Sequence, residues 1–143
     1  MIRVGRHKSF FFGVVLFYLS SLSTACQSET TLTVDQVEAV IRKEVRPGSN
    51  ASEILQFLDS QRFGTHQFDH TSYVVAPDIV DLRARHSSDQ KEKALAGRLH
   101  GFIDGALHET RRSMFTTSSI VVSFYFNSDD ELIDYTVKEV VGK

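Results

Sequence analysis

The stretch Ser118-Ser119-Ile120-Val121-Val122-Ser123-Phe124-Tyr125-Phe126 alternates without a break. Ile120, Val122, Phe124 and Phe126 share one face, while Ser119, Val121, Ser123 and Tyr125 share the other, which is the two-residue period of a half-buried strand. Asn127-Ser128-Asp129-Asp130-Glu131 follows as a polar turn. Leu132 to Val141 then resumes with β-branched and aromatic residues, so the chain closes in a β-hairpin. A hairpin with one apolar face needs a cover to be stable in water.

The cover is predicted near the start of the domain. Thr33 and Gln36 form a T-x-x-Q capping box, and Leu32 and Val37 stand at the positions of a hydrophobic staple. Val34, Val37, Val40, Ile41 and Val45 recur at helical spacing until Pro47-Gly48 ends the run. A second helix is predicted from Asn50, where Glu53 completes another capping box, with Ile54, Phe57 and Leu58 inward and Gly64 as a left-handed cap. Both helices are too short to be stable alone and must pack on something.

In the middle of the chain two periods compete. Ser88 to Leu99 predicts a helix, with Asp89 to Lys93 as a solvated stretch and Ala94, Leu95 and Leu99 as its apolar side. Leu95, Leu99, Phe102 and Ala106 would extend that stripe, but Gly97, Gly101 and Gly105 together would cost such a helix about 2 to 3 kcal/mol relative to alanine. A strand from Phe102 to Arg112, pairing with Ser118 to Phe126 across Ser113 to Thr117, is the preferred alternative. Ser72 to Ala76, ended by Pro77, is a short candidate strand, and Ile79 to Arg85 a weaker one. The predicted class is α+β: two N-terminal helices packed on a small, mostly antiparallel sheet ending in a hairpin, as a two-layer sandwich.

Ahead of the domain, Arg3, Arg6 and Lys8 precede an apolar run from Phe10 to Leu19, and Leu22-Ser23-Thr24-Ala25-Cys26 contains the only cysteine of the chain. A membrane-spanning helix needs about 20 apolar residues and this run is roughly half that, so it reads as the apolar part of a signal peptide. Ser23 and Ala25 satisfy the small-residue rule of ordinary signal peptidase for cleavage between Ala25 and Cys26. Residues 3–27 resemble bacterial lipoprotein signal peptides, with Ser23 where leucine is commonest. That resemblance implies a lipobox, a thioether-linked diacylglycerol on Cys26, removal of residues 1–25 and acylation of the new amino terminus. Two or more acyl chains give stable membrane attachment. The implied plan is a cleaved signal peptide 1–25, a lipidated tether 26–31 and one α+β domain 32–143, with no cofactor beyond the lipid on Cys26. Gln27, in place of the aspartate that retains such proteins in the inner membrane, favours the outer membrane facing the periplasm in a Gram-negative host.

The whole chain carries 16 basic and 18 acidic residues, and three of the cations belong to the leader. Without them the balance is about −5, with no Lys/Arg cluster, which argues against nucleic acid as a partner. A lone cysteine allows no internal disulfide, so burial and hydrogen bonding must hold the fold.

Pro47-Gly48-Ser49 with Ile54 and Leu58, and Phe124-Tyr125-Phe126-Asn127 with Leu132 and Tyr135, resemble the small envelope lipoproteins of the BamE or SmpA/OmlA type. The resemblance implies a nonenzymatic interaction module in outer-membrane assembly, with another envelope protein as partner. Residues 70–100 are longer and more polar than that plan needs. On the predicted hairpin, Val121 and Tyr125 lie opposite the core strip and are the candidate interaction surface.

Catalytic candidates are few. His66, Asp69 and His70 would gather two imidazoles and a carboxylate for a divalent metal if they lay on a helix, and they carry the alternative of a periplasmic binding protein or metal-dependent enzyme. The stretch follows Gly64 and reads as loop, so no metal site is expected. His100, Asp104 and His108 align on a helix or a strand and read as an exposed polar face. Asn127, Asp129 and Asp130 resemble the start of a calcium loop, but the loop glycine and the twelfth-position glutamate are absent. Asp134 and Glu139 face opposite sides of a strand. No phosphate-binding loop or nucleophile elbow exists, and no enzyme activity is expected.

Overall fold

A computed structural model describes residues 31–142. The expected leader, the Ala25–Cys26 bond and the expected tether up to residue 30 lie outside the described residues. The fold is a mixed α and β domain built on an antiparallel sheet.

Helix α1 spans Val34–Glu44 and α2 spans Ala51–Ser60, each opened by the expected capping box, Thr33 with Gln36 and Asn50 with Glu53. In each box the N-cap oxygen accepts from a backbone N–H that the helix leaves unpaired, and the third-position side chain returns a bond to the cap. The turn between the helices is tied to the closing hairpin: Gly48 N–H donates to the Leu132 carbonyl at 3.0 Å and Leu132 N–H to that of Ser49 at 2.8 Å. Gly64 is not the cap of α2, which ends at Gln61. It lies instead at the turn of a small hairpin, β1 (Arg62–Phe63) with β2 (His66–Gln67), where its φ of 62° supplies the positive dihedral a two-residue loop requires.

Strands β3 (Asp69–His70) and β4 (Val74–Val75) pair one after the other along one edge of β5 (Gly101–Arg112). Beyond β5 come β6 (Thr117–Phe126) and β7 (Leu132–Gly142), all antiparallel, in the order β3-β5-β6-β7. The strand expected from Phe102 and the hairpin expected after Ser118 are both present, and the helical stripe through Ala106 is not. Two of the three glycines that weighed against it, Gly101 and Gly105, serve close packing in β5. A methyl group on Gly105 would come within 3.1 Å of Leu58 of α2, and one on Gly101 within 2.6 Å of the Tyr73 ring.

Two other expectations are corrected. Ile79 to Arg85 is helix, part of α3 (Pro77–His86), because Pro77 ends the preceding strand and its fixed φ suits the first turn of a helix. Val80 and Ala84, four apart, are both fully buried on one side of it, as the helical period allows. The helix predicted over Ser88 to Leu99 shrinks to α4 (Gln90–Ala94). Past Ala94 the chain tightens into i→i−3 turns, with Leu95 N–H donating to the Glu92 carbonyl and Ala96 N–H to that of Lys93. Gly97 then takes a φ of 82° while its N–H donates to the Asp81 carboxylate of α3.

These helices also change the layering. Val37, Ile41, Ile54 and Leu58 of α1 and α2 pack on Ile103, Leu107, Ile120, Val122 and Phe124, the core side of the sheet. Val80, Ala84, Leu95 and Leu99 make a second cluster around Tyr125 on the other side. The expected two-layer sandwich therefore gains a third layer over part of the sheet. Tyr125 and Ser123 alternate out of the first core, and α3 and α4 supply a second one to receive them.

Candidate functional site

The second face holds the densest group of charges among the described residues. α3 and the segment after it bring Arg83, Ser87 and Glu92 over Asp104 of β5, Ser123 and Tyr125 of β6 and Lys138 of β7. Arg83 donates to Asp104 at 2.9 Å and to Ser123 Oγ at 2.8 Å, and its Nε lies 3.2 Å from Glu92. Glu92, only 2% exposed, also accepts from the Tyr125 hydroxyl at 2.6 Å, the Ser87 hydroxyl at 2.6 Å and Lys138 Nζ at 2.8 Å. Burial works to raise the Glu92 pKa, but the bonds from Lys138, Ser87 and Tyr125 outweigh it and pull the carboxyl down to about 2. Burial and the bond to Glu92 push the Tyr125 hydroxyl up to about 12. Glu92 is thus ionised and Tyr125 protonated at neutral pH. With its lone pairs taken by these donors, Glu92 is a poor proton acceptor, and the arrangement serves as a clasp that holds α3 and α4 to the sheet.

The residues singled out from the sequence fare differently. Tyr125, expected on the exposed face, is completely buried, and its hydroxyl is committed to Glu92. Val121 of that pair is only half-buried and is not part of the cluster that α3 and α4 make around Tyr125. His66 pairs with Phe63 in β2, while Asp69 and His70 are successive residues of β3 and point to opposite sides of the sheet. Both His70 ring nitrogens are engaged, Nε2 with Asp59 at 3.0 Å and Nδ1 with the Thr71 carbonyl at 2.9 Å. The Asp59 bond comes first among the causes that raise the His70 pKa, followed by the Thr71 carbonyl. Asp69 turns instead toward His108, at 3.4 Å. The three residues are not brought together, and among the described residues no group of three or more His, Cys, Asp or Glu side chains converges to hold a metal.

Asp104 and His108 lie on β5, but Asp104 belongs to the clasp and His100 precedes the strand. In the β6–β7 turn, Asn127 Oδ1 accepts from the N–H groups of Asp129 and Glu131, at 2.9 and 3.0 Å, so the segment is an Asx-type turn. Asp134 pairs with Lys91 on the second face at 2.8 Å, and Glu139 lies on the first, opposite Ile120.

A different feature stands out at one end of the sheet. Met114 and Phe115, at the tip of the β5–β6 hairpin, are 90% and 83% exposed, the two most exposed large apolar side chains of the described residues. Ser113 and Thr116 close the turn beneath them, with Ser113 N–H donating to the Thr116 carbonyl at 2.8 Å. Arg111 and Arg112 flank the tip, and Val140 and Val141 of β7 lie beside it, each more than half exposed. A shallow hollow joins this end to the start of α1, lined by Thr31 to Asp35 with Arg111 and Glu139. Periodicity alone passes over Met114-Phe115, although two large apolar residues where a polar turn is expected are themselves a signal. It also places Glu92 in a solvated stretch and gives Arg83 and Lys138 no partners. Ser123 and Tyr125 on the second face of a central strand are the clue that polar groups lie above them.

Comparisons with protein-family models, with curated proteins and with solved structures find no match for this chain.

Proposed function

We propose that the protein is a cell-envelope lipoprotein, anchored by lipid on Cys26, whose α+β domain is a nonenzymatic interaction or assembly module. The observation that carries this reading is the position of Cys26, the single cysteine, directly after a cationic and apolar leader. An unmodified, unpaired thiol in an oxidising compartment is a liability, and lipidation gives it a role. The described domain fits such a tether, since α1 opens with its capping box only seven residues after Cys26, at Thr33. A short tether keeps the domain close to its membrane. The partner is another envelope protein, and Gln27 favours the outer membrane in a Gram-negative host.

The partner surface we assign is the half of the second face left open beyond α3 and α4, where Val121 is half-buried and Val140 is 51% exposed. Tyr125 is withdrawn from it. The anchor is tested by growing cells with an alkyne fatty acid: label on the wild-type protein and none on Cys26→Ala is expected, and an unlabelled wild-type protein would overturn the reading. Affinity purification from detergent-solubilised envelopes tests the surface. Val121→Ser with Val140→Ser should lose a partner that the wild type retains, and an unchanged partner set removes that assignment.

A further inference from the structure

We infer that the β5–β6 hairpin tip, Met114-Phe115, is a second membrane contact that enters the same bilayer as the Cys26 lipid. The inference rests on the lipid-anchor reading and adds to it how the domain stands on the membrane.

Chain length limits where the domain can be. Thr31 follows Cys26 by five residues, so the start of the domain lies within about 18 Å of the lipidated residue even if that segment is fully extended. Thr31 to Asp35 share a hollow with Arg111 and Glu139, which puts the ends of β5 and β7 beside that start. The hairpin runs on past Arg112 to the tip. The end of the domain that the anchor holds against the membrane is therefore the end that carries the two most exposed apolar side chains.

The chemistry of that end suits a phospholipid surface. Met114 and Phe115 project from a closed turn whose Ser113 and Thr116 groups are satisfied by each other, so insertion of the side chains does not require those groups to enter the hydrocarbon unpaired. Arg111 pairs in register with Ser118 and Arg112 with Thr117, which places the two cations on opposite sides of the ribbon just behind the tip. Apolar residues leading and guanidinium groups trailing at headgroup depth is the arrangement of an interfacial anchor. A domain of net negative charge thus turns its two arginines toward phosphate.

The chain has no tryptophan, so Phe115→Trp introduces a unique fluorophore at an exposed position. The lipidated variant is reconstituted into vesicles of phosphatidylcholine and phosphatidylserine whose acyl chains carry bromine, and compared with Ile79→Trp on the exposed side of α3. Expected is co-flotation of both proteins with the vesicles, with a blue-shifted, bromine-quenched indole in Phe115→Trp and an unquenched, water-like one in Ile79→Trp. Co-flotation with an unquenched Phe115→Trp indole overturns the tip insertion and leaves the anchor standing. Failure to float overturns both. Quenching that persists in a Cys26→Ala background supports the tip as a membrane contact in its own right, and the fatty-acid label decides the anchor separately.

Discussion

Replacing Glu92 by glutamine removes the charge at the centre of the second-face clasp while leaving its shape. In the folded protein the Glu92 carboxyl is drawn from 4.5 to about 2, against the effect of burial, by Lys138, Ser87 and Tyr125. A depression of that size corresponds to at most about 3 kcal/mol of folding free energy at neutral pH. Lys138 is 39% exposed and water screens part of that interaction, so the expected loss in Glu92→Gln is about 2 kcal/mol. The loss stays below that of a fully broken buried pair because Arg83 keeps Asp104 and Lys138 keeps Asp89, at 2.9 and 3.5 Å. The folded-state pKa lies below the unfolded one. The contribution is therefore complete above about pH 5 and disappears as pH falls through 4.5 toward 2. Urea unfolding of both forms in a Cys26→Ala background, repeated from neutral pH to acid, should show two stability curves that converge on acidification. A difference that is the same at every pH, or absent at neutral pH, would refute the assignment of an ionised, clasped Glu92.

Three further outcomes are expected. Gly101→Ala drives a methyl to within 2.6 Å of a Tyr73 ring that is held by Phe126 and Asp130, and should destabilise the fold by about 1–3 kcal/mol. Chemical denaturation checks it, and Tyr73→Leu in the same chain should recover part of the loss. Asn50→Ala removes the α2 N-cap and should cost about 1 kcal/mol, a drop of about 4 °C in a melt of a domain this size; an unchanged melt would show the cap to be idle. His70, bonded to Asp59, should titrate by NMR above its ordinary 6.5 and return toward it in Asp59→Asn. The small stabilisation from that pair is present below pH 6.5 and is lost as pH rises through the folded-state value.

The elements that local chemistry specifies are legible in the amino-acid sequence. Two capping boxes mark the starts of α1 and α2, and the alternation from Ser118 to Phe126 marks β6. In each case the signal and the interaction lie within a few residues of one another. Ile79 to Arg85 is ambiguous by pattern, because its apolar residues suit either period, and only the fully buried Val80 and Ala84, received by Tyr125 and Leu95, decide for helix. Gly64 suits a helix cap and is a hairpin turn, since a positive φ serves both and the choice depends on whether the following residues find a strand partner. His66, Asp69 and His70 would converge only on one continuous helix, whereas two separate strands send them in different directions.

By itself the sequence determined the capped helices, the closing hairpin, the absence of a disulfide within these residues and the expectation of a lipidated Cys26, all of which depend on neighbouring residues or on composition. Tertiary structure alone decided that the second face of the sheet is covered over part of its length, that Tyr125 is buried on Glu92, and that Met114-Phe115 stands at the same end as the start of α1. Those outcomes join residues far apart in the chain, as Glu92 and Tyr125 are at a separation of 33 positions. Burial of a charge or exposure of an apolar tip depends on which surfaces the chain brings together, and no local pattern carries that information.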